Sequence, residues 1–309
     1  MSLAPIVLFV YNRLEHTKQT IEALQNNTLA TQSELFIYSD APKNESVCKG
    51  VQKVREYIKT LKGFKEIHII MRESNYGLTK NIASGVTEII NKYNKVIVLE
   101  DDIVTSKYFL DFMNDALNYY EDKKEVWHIS GYNYPVSIQT EEDTYFSSLM
   151  DCWGWATWKD RWQYFSLSKK ILWKILFLPS KQKEKFDLWG TGIPMDQVYL
   201  NLLRLNFNWG IYWYSTVFLN NGLCLHPVKS LVNNIGHDGT GTHCGNNYIY
   251  IHKELGNRYP LRYPAELRIN EEIMKKISDY LKKHKTPLYM KVKKLFRLVS
   301  KKFHNGVVK

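Results

Sequence analysis

Short apolar runs alternate with segments of helical periodicity over the first hundred residues. Residues 5–10 read Pro-Ile-Val-Leu-Phe-Val, which is typical of a strand buried on both faces. Further apolar runs at 35–38, 67–71 and 95–99 predict three more strands, and helical spacing predicts helices over 14–26, 47–61 and 78–93. This alternation predicts an α/β fold with a doubly wound, mostly parallel sheet.

The second half of the chain is irregular and rich in Trp and Tyr. Its pattern predicts a helix over 108–120, a strand over 126–130 and a helix over 196–204. A turn at 220–222, with the sequence Asn-Asn-Gly, should precede a short strand over 223–225. We see no internal repeat and no low-complexity segment before residue 270.

Polar side chains follow the predicted strands of the first half. They are Asn12, Arg13, Asp40, Glu100, Asp101 and Asp102. Doubly wound sheets bind ligands at the carboxyl ends of their strands. We therefore expect these side chains to gather at one edge of the sheet, where the fold would place a nucleotide.

Three consecutive acids, Glu100, Asp101 and Asp102, give the sharpest local signal. Adjacent carboxylates repel each other, so such a cluster is stable mainly where a cation or hydrogen-bond donors offset its charge. Carboxylate oxygens suit Mg²⁺ or Mn²⁺, which recruit substrate phosphates as further ligands. The alternative is a solvated acidic turn that caps a helix beginning near Ser106.

Composition and charge narrow the class of protein. Hydrophobic residues make up 44% and charged residues 24%, which is typical of a globular protein. Of the net charge of +11, +10 lies on residues 282–309, so the rest offers no basic surface for nucleic acid. Four cysteines without a CxxC pair favour reduced thiols facing the cytosol. Neither a signal peptide nor a membrane span is indicated.

Several segments together resemble the GT-A glycosyltransferases. The strand followed by Glu-Asp-Asp at 100–102 resembles their DxD metal motif, above all in N-acetylglucosaminyltransferase I and its bacterial relatives of surface-polysaccharide synthesis. Residues 126–133, Val-Trp-His-Ile-Ser-Gly-Tyr-Asn, resemble the next strand of that family. Residues 151–158, Asp-Cys-Trp-Gly-Trp-Ala-Thr-Trp, resemble its Gly-Trp segment beside the sugar. Residues 220–223 and 234–243 resemble the bacterial members, so the likeness covers about residues 4–245.

The resemblance implies an inverting transfer of a sugar from a nucleotide-sugar, expected to be a UDP-sugar, to a saccharide or glycolipid acceptor. Arg13 would contact the diphosphate and Asp40 the uracil. Glu100 and Asp101 would face the ribose and the sugar. Asp102 would ligate Mn²⁺ or Mg²⁺.

The second half would complete the site that the resemblance implies. Trp153, Trp155 and Trp158 lie close together around Gly154, and an indole face suits the apolar face of a pyranose. Of the three, Trp155 would line the sugar site, and a place in the core is the alternative for each. His243, in the Gly-rich loop that begins at Gly236, would bond phosphate or metal.

The expected general base is Asp196. The family has its acid directly after a Trp, whereas Trp189 lies seven residues upstream here. Asp187 and Asp151 are therefore alternatives, and Asp196 could instead act as a helix cap.

We expect one GT-A domain over 1–252, with a nucleotide-binding half over about 1–105 and an acceptor half over about 106–252. A linker and helix should follow over 253–287, and a basic amphipathic helix over 288–309. That helix is typical of peripheral binding to an anionic membrane, here the cytoplasmic face of the inner membrane. A helix docked on the core and an RNA-binding arm are the alternatives.

Two other functions fit the same residues. A carbohydrate-binding protein without activity could share the fold, and a sugar nucleotidyltransferase would use similar carboxylates and metal at strand ends.

Overall fold

The first four predicted strands all form in the computed structural model, which describes residues 2–239 and 248–284. The strands are β1 (Ile6–Val10), β2 (Glu34–Ser39), β3 (Glu66–Met71) and β4 (Lys95–Glu100). The helices between them are α1 (Leu14–Gln25), α2 (Glu45–Ile58) and α3 (Gly77–Tyr93). Each predicted element of this half lies within about three residues of its expected bounds.

The order of these strands in the sheet is β3-β2-β1-β4, and all four are parallel. The chain moves outward from β1 to β3 and then returns to place β4 on the other side of β1. Phe9 near the end of β1 consequently lies opposite both Tyr38 and Glu100. The order of connections reverses between β1 and β4, which is where open α/β sheets form a ligand crevice.

Four strands of the second half extend the same sheet to eight strands. The later strands are β5 (Ile103–Thr105), β6 (Val126–Ser130), β7 (Thr144–Ser147), β8 (Trp155–Trp158), β9 (Leu223–Pro227) and β10 (Val232–Asn234). The full order is β3-β2-β1-β4-β8-β6-β9-β7, in which β8 and β7 run antiparallel to their neighbours. The predicted α/β class with a mostly parallel sheet is confirmed.

A separate two-stranded antiparallel sheet joins β5 to β10. It pairs Asn234 with Ile103, the residue directly after the three acids. The segment that follows β10 is therefore held beside the carboxyl end of β4.

The helices of the second half are less regular than those of the first. They are α4 (Phe109–Tyr119), α5 (Lys159–Trp162), α6 (Lys169–Leu176), α7 (Ser180–Phe186), α8 (Ile193–Leu202), α9 (Trp209–Leu219) and α10 (Glu271–Lys283). Helix α8 begins three residues before its predicted start. The sequence pattern does not reveal α9, because nine of its eleven residues are buried and the helix has no polar face to give a period.

Much of the aromatic content of the second half is core. Trp155 of β8 stacks on Trp209 of α9 at a ring-centroid distance of 5.2 Å, and Trp162 packs 4.9 Å from Trp213. No helix in the described part of the chain is long and apolar enough to cross a bilayer. The predicted amphipathic helix over 288–309 and His243 lie outside the described residues.

Candidate functional site

An ion cluster lies where β1 and β4 end side by side. Arg13 follows β1, and Asp101 and Asp102 directly follow β4. Arg13 Nη2 donates hydrogen bonds to both carboxylates, with a distance of 2.7 Å to Asp102 Oδ2. The parallel register of β1 and β4 thus brings together three side chains that the sequence predicted to meet.

Negative charge exceeds positive charge in this cluster. Burial raises the pKa of Glu100, and the charges of Asp102 and Asp101 raise it further. Burial also raises the pKa of Asp101, and the nearby Arg13 guanidinium offsets only part of that rise. When all groups are ionised, three carboxylates and one guanidinium leave a formal charge of −2 at the end of β4.

The other end of the Arg13 guanidinium faces a crowded glycine. Arg13 Nη1 is buried and has no hydrogen-bond partner among the described residues. A Cβ on Gly236 would overlap Asp102 Oδ2 and lie 3.1 Å from Arg13 Nη1. The backbone N–H of Ile235 donates to the carbonyl of Asp102 at 2.9 Å, which fixes this close approach.

These residues fit a hard divalent cation together with an anion. Oxygen donors and an excess of negative charge suit Mg²⁺ or Mn²⁺, and a buried Nη1 without a partner among the described residues suits an anionic oxygen. In the described part of the chain, the one group with three ligand atoms within 4.8 Å of one another is Glu34, Glu66 and His68, on β2 and β3. The acids after β4 are not such a group in the described residues, so a cation there would need further ligands from water and phosphates.

Asp40 lies at the end of β2 and is 5% exposed. Its Oδ1 accepts from the backbone N–H groups of Ala41 at 2.9 Å and Tyr76 at 2.8 Å. Its Oδ2 accepts from the N–H of Gly77 at 2.8 Å and from Asn75 Nδ2 at 3.2 Å. Both oxygens thus fasten the start of α3 to β2, and the expected contact of Asp40 with uracil stays a prediction.

Trp155 does not reach the site. It is 1% exposed and lies between Trp209 and the His128 ring, 5.4 Å away. An indole buried this deeply cannot contact a sugar, so the predicted role of Trp155 is wrong. Trp153, two residues earlier, is partly exposed and meets the His237 ring edge-on at 5.3 Å. Through His237, the residue after Gly236, this indole is linked to the segment that packs against the ion cluster.

The candidate bases Asp196 and Asp187 both lie near the start of α8. Asp187 accepts hydrogen bonds from the backbone N–H groups of Gly192 at 2.9 Å and Met195 at 3.2 Å, so it is the residue that caps α8. Asp196 is the fourth residue of α8 and is partly exposed. It is therefore not the helix cap.

Asp151 has a different environment from the other two. Its Oδ1 accepts from the Tyr134 hydroxyl at 3.4 Å, and its Oδ2 is buried without a partner among the described residues. Burial raises the pKa of Asp151 to about 7. Its position two residues before Trp153 could be read from the sequence, but the burial of its carboxyl group could not.

No protein-family model and no curated protein matches the sequence. Among solved structures, the chain is similar to S. aureus TarS, with 15% identity and a TM-score of 0.31, over 64% of this chain and 34% of that one. It is also similar to the mannosyltransferase PcManGT from Pyrobaculum calidifontis, in complex with GDP-Man and Mn²⁺. The identity there is 10% and the TM-score 0.31, over 63% of this chain and 53% of that one.

Both of these structural neighbours are glycosyltransferases. The chain spans about a third of the length of the first and about half of the second. At this similarity, the chemistry has to be argued from the side chains of this protein.

Proposed function

We propose that this protein is an inverting, metal-dependent glycosyltransferase. It would move a sugar from a nucleotide-sugar, most simply a UDP-sugar, to a saccharide or glycolipid acceptor of bacterial surface polysaccharide. The observation that carries the proposal is the bridge from Arg13 to Asp101 and Asp102 at the switch point between β1 and β4. A departing nucleoside diphosphate is stabilised by groups that offset its charge, and this cluster would supply carboxylates for a cation and a guanidinium for the diphosphate oxygens.

Asp102 would hold Mn²⁺ or Mg²⁺, with water and the diphosphate supplying further ligands. When bound, the cation neutralises charge on the leaving diphosphate. Arg13 would give its unpaired Nη1 to a diphosphate oxygen while Nη2 keeps the carboxylates of Asp101 and Asp102 in place. The further assignments are Asp40 to the uracil, Glu100 and Asp101 to the ribose and sugar, and His243 to the phosphate.

The acceptor hydroxyl needs a general base on the face opposite the leaving group. Asp196 is the choice that the family resemblance favours. Asp151 is the second candidate, because a carboxyl group with an unpartnered buried oxygen and a pKa of about 7 suits proton transfer at neutral pH. Asp187 is engaged in capping α8 and is the weakest of the three.

Substitution of each candidate base separates a role in catalysis from a role in donor binding. Replacing the base by Asn should reduce turnover by on the order of 10²–10⁴ and leave donor affinity within a few-fold. We expect this for Asp196→Asn and not for Asp151→Asn. The reverse result would assign the base to Asp151, and near-normal turnover of both variants would remove both from the mechanism.

The reaction class is tested with a panel of nucleotide sugars in the presence of Mn²⁺. Release of free nucleoside diphosphate is expected. Release of pyrophosphate from UTP and a sugar 1-phosphate would instead identify a nucleotidyltransferase, and binding without turnover in either assay a carbohydrate-binding protein.

The metal site is tested by calorimetry of UDP binding with and without Mn²⁺. Asp102→Asn should abolish the metal-dependent part of the affinity while the protein stays folded. Asp122→Asn, at an exposed carboxylate after α4, is the matched control and should bind as the unchanged chain does. Unchanged UDP affinity of the Asp102 variant in Mn²⁺ would contradict the assignment.

The cellular location that we propose is the cytoplasmic face of the inner membrane. The support is the concentration of +10 of the net charge on residues 282–309, which would attract anionic lipid. Substitution of the Lys and Arg residues over 291–302 by Gln should weaken binding to anionic vesicles. Binding that is unaffected would remove the tail from this proposal.

A further inference from the structure

Helix α6 turns large apolar side chains toward solvent. Trp173 is 49% exposed, and Phe177, directly after the helix, is 80% exposed. Their rings stack at a centroid distance of 6.2 Å, so they form one aromatic patch. Contiguous exposed apolar patches mark interaction surfaces more often than single exposed residues do, so this patch is a candidate interaction surface.

The exposed side chains lie on one face of α6. Lys170, Trp173, Lys174 and Phe177 are spaced i, i+3, i+4 and i+7, and all four are exposed. Leu172 and Ile175 of the same helix are fully buried in the core. Helix α6 is therefore anchored by its inner face and presents an outer face, defined by those four residues, on which basic and aromatic side chains alternate.

The segment of chain that carries this outer face holds charge of one sign. Residues 163–183 contain five Lys and no acidic residue. The chain before residue 282 is close to neutral as a whole, so this segment is a local concentration of positive charge. Lys181, at the start of α7, is also exposed and extends the basic surface.

This combination fits the interface of an anionic bilayer. Trp and Phe insert at the boundary between head groups and acyl chains, while Lys extends its stem along the apolar surface and keeps its charge at the lipid phosphates. A protein partner fits less well because Lys is depleted at protein interfaces. Nucleic acid fits less well because the segment has no Arg, the residue that reads phosphate and bases bidentately.

We propose that the outer face of α6 docks the protein on an anionic lipid surface, with Phe177 inserted and Trp173 at the head-group level. This surface is separate from the basic segment 282–309, and it rests on the side chains of α6 alone rather than on sugar transfer. Vesicle binding therefore tests it without any measurement of turnover.

The position of α6 predicts which part of the protein would lie close to the lipid. Lys169 at the start of α6 donates from Nζ to the carbonyl of Leu202, the last residue of α8, at 2.7 Å. Helix α8 also carries Asp196. Docking through α6 would therefore bring the proposed acceptor half, rather than β2 and β3, close to the lipid, which suits a glycolipid acceptor.

The experiment measures binding of the full chain to phosphatidylcholine vesicles with and without phosphatidylglycerol. Trp173→Ser with Phe177→Ser, and Lys170→Glu with Lys174→Glu, should each weaken binding to the anionic vesicles at least about tenfold. The matched controls are Lys49→Glu with Lys53→Glu, two exposed lysines with the same spacing on α2, and Tyr119→Ser, an exposed aromatic on α4. The controls should bind within about twofold of the unchanged chain.

A second measurement does not depend on variants. Amide hydrogen exchange of the unchanged chain should slow over 169–178 when anionic vesicles are added. Normal binding by both α6 variants, or protection confined to the tail, would overturn the proposal. A lysine variant that lost RNA binding but kept vesicle binding would also overturn the proposal.

Discussion

The carboxyl ends of β2 and β4 look alike in sequence, but their carboxylates serve opposite purposes. Asp40 after β2 receives hydrogen bonds from three backbone N–H groups and one side-chain amide. Asp101 and Asp102 after β4 share one guanidinium, that of Arg13, and carry excess charge. A carboxylate whose oxygens accept several hydrogen bonds from the backbone stabilises the fold. Carboxylates whose negative charge is not fully offset are available for a cation.

The sharpest test of this contrast compares the stabilities of two variants. Asp40→Ala should lower the free energy of unfolding by about 2–4 kcal/mol, because the N–H groups of Tyr76 and Gly77 at the start of α3, and that of Ala41 after β2, lose their acceptor. Asp102→Asn should leave it unchanged or raise it, since one of three mutually repelling charges is removed. Urea unfolding monitored by circular dichroism measures both, and equal losses in the two variants would erase the distinction.

Asp151 extends the comparison to a buried carboxyl group with one long hydrogen bond, from the Tyr134 hydroxyl, and one oxygen without a partner among the described residues. Because burial raises its pKa to about 7 in the folded protein, the unfolded state loses its proton first as the pH rises. Asp151 therefore lowers stability progressively from about pH 4 to about pH 7. Asp151→Asn should be stabilised relative to the unchanged chain by about 2–3 kcal/mol more at about pH 8 than at about pH 5.

Urea unfolding of the variant and the unchanged chain at the two pH values measures this difference in the free energy of unfolding. The contributions of the other titrating groups are the same in both chains and cancel. Asp122→Asn should show no such dependence, because its carboxylate is exposed. A pH-independent effect of Asp151→Asn would mean that its carboxyl group titrates normally.

Gly236→Ala tests the close approach at the end of β4. The added Cβ would displace Asp102 and crowd Arg13 Nη1, so UDP affinity in Mn²⁺ should fall about tenfold or more, while stability falls by about 1 kcal/mol. Gly210→Ala, in α9, is the control, since a Cβ there meets its nearest atom at 3.3 Å. Calorimetry measures the UDP affinity, and an unaltered affinity of Gly236→Ala would mean that this glycine is not part of the site.

The smallest expected effect compares two tryptophans. Trp153→Phe should weaken nucleotide-sugar binding about threefold and leave UDP binding unchanged, because an indole offers more surface to a sugar than a phenyl ring does. Trp155→Phe should leave both affinities unchanged and lower stability, since its indole fills the core. Titrations of both variants with UDP and with the nucleotide-sugar measure these affinities. A loss of nucleotide-sugar affinity in the Trp155 variant would restore the predicted role of Trp155.

The parallel half of the fold could be predicted because its strands are short apolar runs that end in polar residues. That pattern located Arg13, Asp101 and Asp102 at one edge of the sheet, where they meet. It could not give the insertion of β8 between β4 and β6, since antiparallel pairing over such sequence distance leaves no local periodicity.

The aromatic half was harder to interpret because burial and ligand binding favour the same residues. The segment 151–158 contains both Trp153, which is partly exposed, and Trp155, which is buried, and nothing in the sequence separates them. The hydrogen-bond partners of side chains could not be predicted either. Both oxygens of Asp40 accept hydrogen bonds, whereas Asp151 Oδ2 has no partner among the described residues, and this difference depends on tertiary contacts alone.

The pairing of β5 with β10 sets an order of events during synthesis on the ribosome. The acids at 100–102 emerge together with β1–β4, yet Ile235 and Gly236 emerge some 130 residues later. Until then the nascent chain exposes its carboxylates without the backbone that finally packs against them. The ion cluster therefore reaches its final surroundings only after Ile235 and Gly236 have been translated, because their backbone fixes the close approach to Asp102.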